Sequence, residues 1–263
     1  MARKVNEAMN GLYEDAELYD LVAPRDEAME RFYVEATGGA ARSVLELACG
    51  SGRVALPLAE SGARVTAGDL SKTMLEQART AAKRDGSRVE FLELDMRDFD
   101  LGRQFDAIVV AANSLMHLLT AEDLGGTFDA IRRHLAPNGV LAFDVFVPNA
   151  RLLSQPPGTR QRLGTFQHPR LGSVLIDEEI VYDPVSQISQ ADWFWSTQSA
   201  PAFRHTTISM RQIYPQELLL LLRRSGLEPI SRFGDFDRRP LTAESWRQIC
   251  LCRPLGSSAR PRA

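Results

Sequence analysis

The sequence predicts an α/β protein built on a doubly wound parallel sheet, and three observations predict it. Residues 44–52, VLELACGSG, run from a short apolar stretch through an acidic residue into a loop of small residues. Up to residue 150, short apolar runs of strand length alternate with segments of helical period, which is the pattern of strand–helix units. After Ala150 that rhythm stops, a Pro- and Gly-rich connection follows, and the next runs alternate as antiparallel strands do.

Apolar residues crowd positions 44–47 without alternation, as in a parallel strand buried on both faces. Ala48, Gly50, Ser51 and Gly52 then form a turn with almost no side-chain bulk, and a helix follows over residues 53–60. A strand, a glycine loop and a helix in that order let a ligand press against backbone. The spacing Glu46-x-Ala48-x-Gly50-x-Gly52 is neither a G-x-G-x-x-G fingerprint nor a Walker loop, which needs Gly-Lys-Ser/Thr. A second strand, residues 64–69, ends in Asp69, where a carboxylate can accept both hydroxyls of a ribose. The helix over 71–85 has Ser71 as its cap and turns Met74, Leu75 and Ala78 inward. A third strand, 88–94, brings Asp95 and Met96 to its tip.

Strand four is expected over 105–114. Ligands of an open α/β sheet sit beyond the carboxyl ends of its strands, so the polar residues Asn113, Ser114 and His117 in AANSLMHLL fall where reacting groups converge. An imidazole titrates near neutral pH, which makes His117 a candidate general base. An amphipathic helix over 121–134 leads to a turn at 135–140 built on Pro137, Asn138 and Gly139. Strand five, 140–145, carries Asp144 near its carboxyl end.

Before this core, residues 1–38 read as helical and acidic, with Tyr13 and Tyr19, and with Met29, Phe32 and Tyr33 on one side of a helix over 26–36. Gly38-Gly39 ends that helix. After the core, strands are expected at 173–182, 188–196 and 205–212, forming a small antiparallel sheet that roofs a site or makes an oligomer interface. Alternation there puts Trp193 and Trp195 on one face and Phe194 on the other. Tyr214-Pro215 starts a helix whose five leucines need burial on more than one side. Strands six and seven follow at 227–233 and 246–252, then a basic, small-residue tail expected to be disordered. The domain boundaries expected are 1–40, 41–150, 151–212, 213–253 and a tail at 254–263.

Bulk properties set limits. With 44% hydrophobic and 25% charged residues, the 263-residue chain buries a core without staples. A net charge of −3 argues against a broad electrostatic footprint for nucleic acid. The three cysteines are Cys49 in the glycine loop and Cys250 and Cys252, which alternate on a strand and face opposite ways. Their spacing fits no metal site, and reduced thiols in a cytoplasmic protein are expected. No apolar run reaches 18 residues, so no membrane span is expected, and the N-terminus lacks the apolar core of a signal peptide.

The ordered motifs resemble class I S-adenosylmethionine-dependent methyltransferases, closely from Tyr19 to Gly139 and more loosely beyond. The resemblance implies a seven-stranded Rossmann-like sheet with an antiparallel last strand, S-adenosyl-L-methionine as cofactor, and no metal. It implies that Glu46 holds the methionyl amino group, that the loop Ala48, Cys49, Gly50, Ser51 and Gly52 approaches the methionyl and ribose part, and that Asp69 takes the ribose diol. Leu70 would line the adenine, Asp95 would meet its amino group and the Met96 backbone would read the ring, with Met74 and Ala112 also on the cofactor. The family's first loop position is usually glycine, and Ala48 departs from it in a way that bears on the backbone angle there. The order of insert, helix and last strands, with Arg211, Tyr214 and Pro215, resembles bacterial stand-alone enzymes that methylate small molecules, including sugar-amine and glycine-type N-methyltransferases. In these, a Tyr-Asp segment, here Tyr19-Asp20, folds over the cofactor, and the loop bearing His117 lines the active site. Tyr13, Asn113, Ser114, His117, Trp195 and Tyr214 are then the substrate-side candidates. The implied activity is methyl transfer to N or O of a small molecule, with no nucleic acid or membrane partner and a homo-oligomer through the insert. A hydroxyl acceptor would want a base, His117 or His205. The alternatives are a methyltransferase for tRNA or protein, a C-methyltransferase, and a non-catalytic cofactor-binding module. AANS stands where base N-methylating enzymes often carry Asn-Pro-Pro-Tyr.

Overall fold

The computed structural model describes residues 11–13 and 15–256. The first ten residues of the expected N-terminal helical region, and 257–263 of the expected tail, lie outside them. The chain forms two compact units, one of Asp26–Val147 with Ile213–Ala263, the other of Met1–Arg25 with Pro148–Gln212. In chain order the elements are α1 (Ala16–Val22), α2 (Glu27–Thr37), β1 (Ser43–Leu47), α3 (Ala55–Glu60), β2 (Arg64–Asp69), α4 (Lys72–Asp85), β3 (Val89–Glu93) and β4 (Phe105–Val110). A 3-10 turn (Ser114–His117), α5 (Ala121–His134) and β5 (Leu135–Phe146) complete the first half. Then come α6 (Ala150–Leu153), β6 (Arg160–His168), β7 (Gly172–Asp183), β8 (Ile188–Thr197), β9 (Arg204–Arg211), α7 (Pro215–Arg224), β10 (Leu227–Phe233) and β11 (Arg247–Pro254).

The larger unit holds a seven-stranded sheet in the order β10-β11-β5-β4-β1-β2-β3. Strands β5, β4, β1, β2 and β3 are parallel neighbours, while β11 runs antiparallel to both β5 and β10. Val44, Leu45, Leu47, Ala107, Ile108, Val109 and Val110 are all buried, which is why β1 and β4 read as unbroken apolar runs. Helix starts follow the sequence signals: Asp26, Ser71 and Thr120 each cap through a side-chain oxygen. Gly38 and Gly86 close α2 and α4 in the left-handed conformation.

Three features differ from the sequence reading. The turn expected at 135–140 is part of β5: pairing jumps from Phe105↔Leu135 to Ala107↔Val140, so residues 136–139 bulge out of a strand that already began at Leu135. Strand β4 stops at Val110, not at 114, because Ala112 and Asn113 turn left-handed at φ 55 and 62. In α7 only Leu218 and Leu222 are buried and Leu220 is 68% exposed, so the leucine run has one inward stripe.

The smaller unit is a four-stranded antiparallel sheet, β6-β7-β8-β9, where the sequence reading found three strands. Strand β6 lacks an apolar rhythm because it is a solvated edge. Its Arg160, Gln161 and Arg162 bond across the ladder to Glu179, Glu178 and Asp177. The inner face packs Leu12, Leu18, Val174, Ile176, Trp195 and Ile208. Trp195 is fully buried and its indole N–H donates to Thr206 Oγ1 at 2.9 Å. It is therefore a core residue, and its place among the substrate candidates is withdrawn. On the other face Phe194 stacks on His205 at 4.9 Å under the Arg160 guanidinium, as the alternation requires. Among the described residues, no helix is long and apolar enough to cross a membrane.

Candidate functional site

In the larger unit the strand order reverses at β1, which has β2 on one side and β4 on the other. A crevice opens at such a switch, beyond the carboxyl ends of β1 and β4. The loop leaving β1 is held by Cys49 N–H to the Gly68 carbonyl and Gly52 N–H to the Cys49 carbonyl, each at 3.0 Å. Its two glycines do different things. A Cβ on Gly52 would lie 3.3 Å from the Ala78 Cβ, so Gly52 lets the loop pack on α4. A Cβ on Gly50 would meet nothing within 4 Å, so Gly50 leaves open space over bare backbone. Ala48 adopts φ 53, the angle a glycine would take. A left-handed alanine costs about 1–2 kcal/mol, so Ala48→Gly is expected to raise stability by about 0.5 kcal/mol after the added freedom of the unfolded chain is subtracted. A urea unfolding curve checks it, and a lower midpoint would contradict it.

Three carboxylates stand at the tips of β1, β2 and β3. Glu46 is 2% exposed, and its Oε2 has no hydrogen-bond partner. Burial pushes its pKa up to about 8, against the opposing pull of the Arg53 charge. An orphaned buried carboxylate oxygen is a vacant position for a cation that donates hydrogen bonds. Asp69 accepts Gly50 N–H on Oδ2 and Ser71 N–H on Oδ1, both at 2.8 Å, so it ties the β1 loop to the start of α4. Burial raises its pKa, opposed by these backbone bonds. Leu70 beside it is 42% exposed. Asp95 is clamped by the Arg97 guanidinium, which contacts both carboxylate oxygens. Burial works to raise its pKa, but those bonds and the Arg97 charge hold it below the ordinary range. Any contact of Asp95 with an adenine amino group therefore shares the carboxylate with Arg97. Met96 is half-buried and Ser51 buried. Met74 is 1% exposed, on the inward side of α4.

The tip of β4 is built around a buried acid. Asp144, 2% exposed on β5, accepts the Ala112 N–H at 2.8 Å and the Tyr33 hydroxyl at 2.5 Å, both on Oδ1. Burial raises the pKa of Asp144, and burial together with that carboxylate raises Tyr33. The left-handed residues Ala112 and Asn113 are of the kind that cost about 1–3 kcal/mol each and cluster at functional sites. The buried Asn113 Oδ1 has no hydrogen-bond partner. The Ser114 hydroxyl donates to the Ala111 carbonyl at 2.6 Å and is buried, so Ser114 closes the turn and is withdrawn as a substrate contact. His117 ends the 3-10 turn, half-buried.

The remaining candidates fall elsewhere. Tyr214 sits just before α7, 38% exposed, in the larger unit. Tyr13 and Tyr19 belong to the smaller unit, their rings 5.2 Å apart at the edge of its core. His205 is in the same unit, bonded to Asp192 Oδ1 at 2.9 Å. Sequence reasoning placed Tyr33 on an inward helix face and Asp144 near a strand end, but missed that they bond to each other. The available signal was an aspartate within an apolar strand. A cavity of about 1050 Å³ lies at the opposite edge of the sheet, where Ser43, Arg64, Val89 and Phe105 begin their strands. It lies at the amino ends of the strands, on the wrong side for the crevice rule. Among the described residues, no group of three or more His, Cys, Asp or Glu could hold a metal ion. The three cysteines are free and buried.

Residues 44–139 match the model of a family described as a methyltransferase domain. The cypemycin N-terminal methyltransferase of a Streptomyces species is 29% identical over 80% of this chain and 82% of its own. The dTDP-3-amino-3,6-dideoxy-alpha-D-glucopyranose N,N-dimethyltransferase of Streptomyces fradiae is 35% identical over 50% of this chain and 52% of its own. The chain spans about half the length, or less, of several other curated relatives it matches. The solved CcbJ methyltransferase of Streptomyces caelestis superposes with a TM-score of 0.80 at 28% identity, covering 93% of this chain and 98% of that one. The orphaned Glu46 oxygen and the open backbone at Gly50 fit the cofactor of such folds. Residues 44–139 are thus a methyltransferase domain, within a chain that carries the S-adenosylmethionine-dependent class I fold.

Proposed function

We propose that the protein transfers a methyl group from S-adenosylmethionine to the amine nitrogen of a small molecule, a sugar amine being the first class to test. The observation that carries the amine is Asn113: a buried, unpartnered side-chain oxygen beside the β4 tip is an acceptor for an N–H. The amine-methylating names of the two relatives above support the class.

On this reading Glu46 holds the methionyl ammonium, Asp69 holds the ribose diol, and Leu70, Met96 and Asp95 line the adenine. When bound, the cofactor supplies a methyl group already activated by positive sulfur. The chain then chiefly orients an electron pair, and orientation of this kind contributes about 7–11 kcal/mol. Asn113 accepts one N–H of the acceptor amine, which turns the nitrogen lone pair toward the methyl. Methylation would leave the acceptor nitrogen cationic, with the C–S electron pair left on the departing sulfur. His117 takes the proton that this nitrogen then sheds.

The test is a methyl-transfer assay with dTDP-3-amino-3,6-dideoxyglucose and its 3-hydroxy counterpart, product followed by mass. Methylation of the amine alone supports the proposal, and methylation of the hydroxyl compound alone overturns it. His117→Ala should lower kcat about 100-fold, in line with a lost general base, and leave cofactor affinity in place. Equal turnover would remove His117 from the chemistry.

A further inference from the structure

We infer that Tyr33 is a positioning residue for methyl transfer: through Asp144 it fixes the left-handed pair Ala112 and Asn113, and so aims the Asn113 side-chain oxygen at the acceptor. The inference rests on the amine-holding role of Asn113 given above.

Two consecutive left-handed residues that are not glycine do not hold themselves in place. The turn must be anchored from outside, and Asp144 anchors it by accepting the Ala112 N–H. The acid can do this because β5 pairs with β4 up to Val110↔Phe143, which sets Asp144 beside the point where β4 turns away. One oxygen, Oδ1, takes both the Ala112 amide and the Tyr33 hydroxyl, so the phenol fixes the oxygen that fixes the turn. Tyr33 is itself tightly packed. It is fully buried on α2, edge-on to Phe32 at 5.6 Å and tilted against Phe236 at 6.1 Å. The linkage runs from a rigid aromatic cluster, through one shared oxygen, to the backbone that carries Asn113. A small misplacement of a reacting group is costly in rate, whereas the cofactor carboxylates Glu46 and Asp69 lie on other strands.

Tyr33→Phe removes only the hydroxyl and keeps the ring packing, so it separates aim from folding. In the full-length protein it should speed amide exchange at Ala112 and Asn113 about tenfold while Ile108 and Val109 stay protected, a local opening of the kind exchange resolves. This readout needs no acceptor, and unchanged exchange at both amides overturns the inference. With dTDP-3-amino-3,6-dideoxyglucose as probe, Tyr33→Phe should lower kcat by about 10- to 100-fold and change S-adenosylmethionine affinity far less. A general structural defect would move both together. The double-mutant cycle with Asn113→Ala decides the route. Once the Asn113 side chain is gone, Tyr33→Phe should add no further loss. Fully multiplicative losses would sink the inference and leave the amine-holding reading standing. Full turnover by Asn113→Ala alone would refute that reading and this inference with it.

Discussion

Asp69→Ala is expected to weaken S-adenosylmethionine binding by about 100-fold, which is the loss of two hydrogen bonds to a charged acceptor at about 1.5 kcal/mol each. The wild-type carboxylate does two jobs at once. Its oxygens accept Gly50 N–H and Ser71 N–H, and each keeps a lone pair for the hydroxyls of the proposed ribose. Removing it therefore loosens the loop as well as the ligand. Asp69 is only partly buried, so water reaches the two amides in the variant and the fold should survive. Asp69→Asn keeps one acceptor oxygen and should lose less. Calorimetric titration with S-adenosylmethionine and S-adenosylhomocysteine measures both, with a thermal melt as control. Wild-type affinity in a folded Asp69→Ala protein would take the ribose away from this residue.

The second large effect is a pH dependence set by Glu46. Its pKa in the cofactor-free protein is raised to about 8, chiefly by burial. A carboxyl whose folded pKa lies above its unfolded value supports the folded state fully below the ordinary carboxyl range. That support is lost as pH rises through the folded value. The cofactor-free protein should therefore grow less stable between about pH 5 and 8. Asp69 is raised as well, by burial, and adds to the slope in the same direction. A bound ammonium reverses the preference and favours ionised Glu46. Binding at pH 7 should then expel close to one proton, because a group titrating near 8 starts out mostly protonated. Calorimetry in buffers of different ionisation enthalpy counts that proton. Glu46→Gln should remove both the proton release and most of the stability slope, and should weaken the cofactor by about 10- to 100-fold. An unchanged proton count in Glu46→Gln would assign the titration to another group.

Much of this was legible in the sequence because the core strands and the binding loop obey local rules. Unbroken apolar runs gave β1 and β4, a cap residue placed the start of α4, an amphipathic pattern placed α5, and three strand-tip acids marked one edge of the sheet. What escaped had a non-local cause. Strand β6 is held by ion pairs to β7, so no apolar rhythm betrays it. Residues 136–139 carry turn chemistry but sit within a strand whose pairing resumes beyond them. The bond from Tyr33 to Asp144 joins residues separated by 111 positions, which no window of local pattern can reveal.

The position of β11 has a consequence for how the chain reaches its fold. It follows the other six strands of this sheet in the sequence, yet it lies between β5 and β10. Until residues 247–254 leave the ribosome, β5 keeps an unpaired edge and β10 has nothing to pair with. Contacts closed over so long a separation form slowly, and open strand edges invite association with other chains. The nascent protein therefore passes through a window in which a half-built sheet is exposed. Completion comes by slotting a strand into a gap, with antiparallel bonds made on both sides at once. Cooperative closure of that gap makes the final eight residues of the sheet a late and decisive step in folding.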